Sequence, residues 1–206
     1  MSHQPLPDSV SDDDLLERTA AGEAAAFTTL FRRRQADVYR VALLMTGVRA
    51  AAEDVTQDVF LAVMRDAGRY EPGRSTVTAW MCGIARNHAR RRLEREGRMV
   101  PFSDETEEGR PGAVAQQDPL GDLANAQQLD ALRRAVLSLP LHYREVVVLC
   151  DLQELSYQEA ALSLDCAVGT VRSRLHRARA LLTAKMRVRE VPGEAAAAKS
   201  ITRCLA

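Results

Sequence analysis

The large apolar residues of this chain recur at intervals of three and four along almost its whole length, a spacing that commits it to helices. Phe27, Leu30, Phe31, Val38, Val41, Ala42 and Met45 form one stripe, which ends near Gly47. Val55, Val59, Ala62 and Val63 form a second, in a helix expected over about 50–67, and Val77, Trp80, Met81, Ile84 and Ala85 a third, over about 76–95. Ahead of these a short helix is predicted to open at Ser11 as N-cap, with Asp12, Asp13 and Asp14 in its first turn, where carboxylates suit the helix dipole. Pro72 and Gly73 cannot continue a helix, so the stretch 68–75 is a turn. Helices resume near Ala126, with Leu129, Leu132, Val136 and Leu137 inward, and stop at Pro140. The next is expected over about 141–152. Its Val146–Val148 run favours a strand by propensity, but an isolated strand has nothing to pair with.

Residues 97–127 break this pattern. They hold Pro101, Gly109, Pro111, Gly112, Pro119 and Gly121, many acids and few large apolar side chains, too little to offset the ordering of the chain. The expected architecture is therefore all-α, with two small helical domains over 11–97 and 127–188. They are joined by a flexible acidic linker over 98–126 and followed by a disordered tail over 189–206. The longest apolar run, Val59–Met64, is six residues, so no membrane insertion is expected. The first eight residues lack the basic start and apolar stretch of a secretory signal. Cys82, Cys150, Cys166 and Cys204 lie far apart without a C-x-x-C pair, which argues against a zinc module and a disulfide framework. These features predict a cytoplasmic protein with no metal and no cofactor.

Charge is unevenly placed although 28 basic and 28 acidic residues cancel. Six arginines fall within 86–98 and seven basic residues within 156–189, while 103–130 holds seven acids against Arg110. Two positive blocks around a negative one suggest two polyanion contacts, although either block alone is equally well a solvated helix face. The second block has more to it. Ser156-Tyr-Gln-Glu159 has the form of a capping box, opening a short helix with Ala160, Ala161 and Leu164 inward. Asp165–Val168 fits a tight turn, and from about Gly169 a second helix sets Val171, Leu175, Ala178 and Leu182 on an inward stripe. Its other face presents Thr170, Arg172, Ser173, His176 and Arg177. The whole is a helix-turn-helix with a groove-reading surface, in which an arginine fork can pair with guanine. Arg174, Arg179, Lys185 and Arg187 fall to the flanks, where phosphate contacts suit them.

Leu155-Ser-Tyr-Gln-Glu-Ala-Ala and Asp165-Cys-Ala-Val-Gly-Thr-Val-Arg-Ser-Arg-Leu-His-Arg-Ala-Arg179 resemble the fourth conserved region of extracytoplasmic-function sigma factors of bacterial RNA polymerase. Ala52-Glu-Asp-Val-Thr-Gln-Asp-Val-Phe60 and Thr78-Ala-Trp-Met-Cys-Gly-Ile-Ala-Arg-Asn87 are similar to that family's second region. The resemblance covers about 11–97 and 126–188. It implies that Asp54, Gln57 and Asp58 dock on core RNA polymerase. It further implies that the turn after Tyr70 and the following helix read the promoter −10 element, where one base is extruded into a pocket lined by Asn87. Arg86, Arg90 and Arg91, with Arg92, would then track phosphates of the unwound strand, and Tyr70 could stack against bases. Thr170, Arg172, Ser173, Arg174, His176 and Arg177 would meet the −35 element. Glu71-Pro72 in the turn departs from the family's usual pattern. Implied partners are core RNA polymerase, promoter DNA and an anti-sigma factor. The linker's 28 steps could reach on the order of 90–100 Å, enough for two elements roughly 85 Å apart.

Two other classes compete. An ordinary helix-turn-helix regulator would bind duplex DNA without core polymerase, yet the N-terminal half lacks the strand–helix alternation of a receiver domain. An enzyme would need a reactive constellation, and the sequence has no P-loop, no G-x-S-x-G and no H-E-x-x-H.

Overall fold

The computed structural model describes residues 9–97 and 123–190. Ser11 accepts the Asp14 amide as N-cap of α1 (Asp12–Ala20), whose Leu15, Leu16 and Thr19 are buried. Helix α2 (Ala24–Thr46) ends where Gly47 turns left-handed at φ 75° and donates its N–H to the Leu43 carbonyl. Helix α3 (Arg49–Asp66) runs into a 3₁₀ turn over Ala67–Arg69, and Thr76 caps α4 (Val77–Arg95) through its hydroxyl. The three predicted stripes become the contact faces of α2, α3 and α4: Leu30, Val38, Val41, Val55, Val59, Val63, Met81 and Ala85 are all buried.

The C-terminal half consists of α5 (Leu123–Leu137), α6 (Leu141–Val146), α7 (Tyr157–Leu164) and α8 (Val168–Glu190). Beyond Val146 the α6 backbone continues as a π-helical segment over Val147–Leu152, so the valine run is helical, and Val146, Val147 and Val148 are buried. Among the described residues there is no strand. Ser156 and Glu159 form the complete capping box of α7. Asp165 then turns left-handed at φ 50°, and Val171, Leu175 and Ala178 of α8 pack inward.

The two halves do not stand apart. Val136, Leu139, Val146–Leu149, Ala160, Leu164 and Leu175 share one buried cluster with the N-terminal stripes. Arg144 donates to the Met45 carbonyl at 2.7 Å, and the Leu137 side chain lies against Gly47. In this conformation the apolar faces of α5–α7 have a partner in α2 and α4, and burying them there removes them from water. The linker region 98–122 and the residues from 191 on, including Cys204, lie outside the described residues.

Gly47 meets two demands at once. Its φ is one that L side chains rarely adopt, and a Cβ there would stand 3.2 Å from Leu137 Cδ2. Gly47→Ala should cost about 1–2 kcal/mol from the left-handed backbone alone, seen in urea denaturation as a lower midpoint with unchanged slope.

Candidate nucleic-acid and polymerase interfaces

The helix-turn-helix presents its predicted reading face to solvent. Arg172, Ser173, His176 and Arg177 are exposed, and Thr170 and Arg174 are half-buried at its edge. The Ser173 hydroxyl donates to the Thr170 carbonyl, and the Arg172 guanidinium sits 5.8 Å from the ring centre of Tyr157 on α7. That stacking restrains an otherwise flexible side chain against the preceding helix. Tyr157 was not singled out by sequence; its place in the capping-box tetrad gave no hint that its ring reaches α8. Arg179, placed among phosphate contacts by sequence, is instead bidentate with Asp151.

On the N-terminal half, Arg69, Tyr70, Trp80, Gly83, Ile84 and Asn87 line a cavity of about 260 Å³. Tyr70 and Trp80 pack with ring centres 5.7 Å apart. The Tyr70 hydroxyl lies 2.7 Å from both Asp13 Oδ1 and the Ser75 carbonyl, so it braces the turn rather than projecting from it. Burial first, and then the Asp13 carboxylate, pushes its phenol above the ordinary range. Asn87, Arg90 and Arg91 are exposed on α4, with Arg90 bridged to Glu94 one turn on.

Arg86 departs from expectation. Sequence placed it on a phosphate-tracking surface, yet it is buried, and its Nε donates to Glu145 Oε1 of α6 at 2.6 Å. Both side chains are nearly closed to solvent, at 10% and 5% exposure. Its NH1 donates to Asn87 Oδ1 at 2.9 Å. In this conformation Arg86 therefore belongs to the contact between halves. Glu145 and Arg86 are 59 residues apart, and no local spacing could have paired them.

A second carboxylate crosses the same boundary. Glu159 Oε1 accepts from both the backbone N–H and the hydroxyl of Thr76 at the start of α4, while its Oε2 serves the α7 capping box. Burial acts to raise the Glu159 carboxyl, but the hydrogen bonds from Thr76 and Ser156 overrule it and hold the group at about 2. Close by, Ser163 on α7 donates to the Ala79 carbonyl and approaches Gly83 so closely that a Cβ there would meet its Oγ at 3.4 Å. Leu162 and Ser163 thus form one wall of the cavity around Asn87.

The α3 face carries Asp54, Gln57 and Asp58, all exposed. Asp54 accepts from Arg92 at 2.7 Å, and Asp58 lies 3.5 Å from His88 Nδ1. Arg92 is consequently committed to α3 rather than to a phosphate track. Two residues missed by sequence continue this face: Leu61 and Met64 are 55% and 56% exposed, large apolar side chains turned to water. Their spacing of three and four from Gln57, Asp58 and Leu61 was the available signal.

Residues 30–99 match the family model described as Sigma-70 region 2, and residues 129–182 the one described as Sigma-70, region 4. The ECF RNA polymerase sigma-E factor of Escherichia coli (strain K12) is 32% identical over 189 residues, covering 88% of this chain and 97% of that relative. The ECF RNA polymerase sigma factor SigE of Mycolicibacterium smegmatis is 36% identical over 165 residues, 78% of this chain, and the chain spans 62% of that relative's length. Among solved structures, CnrH in complex with the cytosolic domain of CnrY superposes with a TM-score of 0.64 at 25% identity, covering 87% of this chain and 99% of that one. The sigma factor RpoE in complex with the anti-sigma factor NepR from Bartonella quintana gives 0.60 at 26% identity, covering 79% and 97%. The chain belongs to the extracytoplasmic-function sigma factors of the sigma-70 family, transcription-initiation factors that are not enzymes. A regulator working without polymerase is not favoured, because the N-terminal half matches region 2 as well.

The Glu159 carboxyl supports the α4–α7 contact only while ionised. Its value is lowered from 4.5 to about 2, so the support is complete above the ordinary value and is lost as pH falls from about 4.5 towards 2. Trp80, the only tryptophan, lines the cavity beside Leu162 and reports on this contact. Its fluorescence should change across that window, and in Glu159→Gln the change should flatten; an identical profile in the two proteins removes Glu159 as the cause.

Proposed function

We propose that the chain is a dissociable initiation subunit that binds core RNA polymerase through α3, reads the −10 element with α4 and the turn before it, reads the −35 element with α8, and helps to open the duplex. The observation that carries this is the pairing of an outward polar face on a helix-turn-helix with a second basic helix that flanks an aromatic-walled cavity. Arg172 and Arg177 supply forks for base edges, and Thr170, Ser173, Arg174 and His176 complete that surface. Asn87, on the cavity rim, offers donor and acceptor to an extruded base, with Arg90 and Arg91 beside it for the strand. Asp54, Gln57 and Asp58 present an acidic, polar face apt for a basic partner, and Leu61 and Met64 extend it with apolar area.

The working units are residues 11–97 and 127–188, with 98–126 as their tether and 189–206 beyond them. No described helix is long and apolar enough to cross a membrane, in keeping with work in the cytoplasm beside the polymerase. RpoE was seen with the anti-sigma factor NepR and CnrH with the cytosolic domain of CnrY, which supports an anti-sigma partner for this chain too.

Run-off transcription with purified core polymerase on genomic fragments tests the whole reading, and core polymerase initiating equally well without the chain would overturn it. Arg172→Ala or Arg177→Ala should each cost about 1–3 kcal/mol of −35 discrimination with core binding unchanged in pull-down. Asn87→Ala should slow open-complex formation on a matched promoter, read by permanganate footprinting. Asp54→Ala and Leu61→Ala should instead lower polymerase affinity and leave promoter preference alone.

A further inference from the structure

Arg172 and Arg177 are both exposed on α8, yet their surroundings differ. Among the described residues Arg177 has no ring or carboxylate against it. The Arg172 guanidinium has one, the Tyr157 ring 5.8 Å away. That ring is 37% exposed and is not among the side chains packed on the core, so core packing does not account for an aromatic at this place.

The backbone that carries the ring is fixed. Tyr157 opens α7 directly after Ser156, whose hydroxyl accepts the Glu159 amide and whose own amide donates to the Glu159 carboxylate. Asp165 turns left-handed to bring α8 against α7, and Val171 and Leu175 are buried together with Ala160 and Leu164. The hydroxyl end of the ring acts on a second arginine. Asp151 chiefly, and the Tyr157 hydroxyl to a lesser degree, hold the Arg179 guanidinium above its usual range. One side chain of α7 thus addresses two arginines of α8 that stand about two turns apart.

We propose that Tyr157 is a positioning residue for −35 recognition: its ring holds the Arg172 guanidinium in a fixed orientation, and discrimination at the base pair read by Arg172 depends on that hold. This rests on the −35 reading of α8 above and adds to it a residue on the preceding helix. An unrestrained arginine beside DNA has an abundant alternative to any base edge, because phosphates accept it from many rotamers. Wandering between the two erodes discrimination while binding persists. A cation stacked on an aromatic face gives up that freedom before DNA arrives, so less ordering remains to oppose the base contact. The N–H donors of a guanidinium lie in its own plane, and a ring against its face leaves them available for guanine O6 and N7.

The test uses holoenzyme assembled from core polymerase and the full chain. It binds a promoter library with a randomised −35 element and a fixed −10 region taken from an active genomic fragment, and the bound DNA is sequenced. Arg172→Ala and Arg177→Ala locate the base pair that each arginine reads. Tyr157→Leu removes the aromatic face. It should lower the guanine preference at the Arg172 base pair about two- to fivefold and leave the Arg177 base pair unchanged. Tyr157→Phe and Tyr157→Trp should keep the preference, since either ring still offers a face to the cation, and Arg179 retains Asp151 when the hydroxyl is gone. On an Arg172→Ala background Tyr157→Leu should change nothing further at that base pair. An unchanged preference in Tyr157→Leu overturns the proposal, as does an equal loss at both base pairs, which is a loosening of α7. A loss in Tyr157→Phe as large as in Tyr157→Leu also overturns it and assigns the effect to the hydroxyl. Failure of the −35 reading looks different: Arg172→Ala and Arg177→Ala then leave the whole profile as it was, and the proposal falls with the reading.

Discussion

The buried ion pair between Arg86 and Glu145 sets the relation between the halves. Two charges at 2.6 Å, both nearly closed to solvent, add little net stability over an apolar contact, but losing either one costs about 3–5 kcal/mol. Such a pair specifies one arrangement and penalises its neighbours. Once α6 is fixed on α4 in this way, Ser163 can settle on Gly83, Leu137 on Gly47 and Glu159 on Thr76. Each of these contacts is small, and together with the ion pair they hold the C-terminal half against α2 and α4.

The consequence for nucleic-acid chemistry is asymmetric. The α8 face stays open to solvent while the α4 side is walled by α7. Arg86, on the side walled by α7, is closed to solvent by its pair with Glu145.

Local features were legible in the sequence because their causes are local. Ser11, Thr76 and Ser156 cap helices for reasons contained within four residues, and the stripes of α2, α3, α4 and α8 follow from helical period alone. The capping box, turn and inward stripe of the helix-turn-helix could be read for the same reason, but its Tyr157–Arg172 and Asp151–Arg179 contacts could not. What could not be read was pairing at a distance. Arg86, Arg90 and Arg92 look alike in a run of arginines, yet one is buried against Glu145, one bridges to Glu94 and one is held by Asp54. Charge blocks average over such differences. The Tyr70 hydroxyl is likewise held by a partner that local spacing does not reveal, Asp13, 57 residues away.

The π-helical stretch from Val147 to Leu152 bears on how this protein can vary. Its wider winding sets the azimuth between Glu145, which points to α4, and Asp151, which points to Arg179 on α8. Dropping a single valine would leave polarity and bulk almost untouched while rotating one of those carboxylates away from its arginine. Length, far more than side-chain identity, is what this short stretch has least freedom to change.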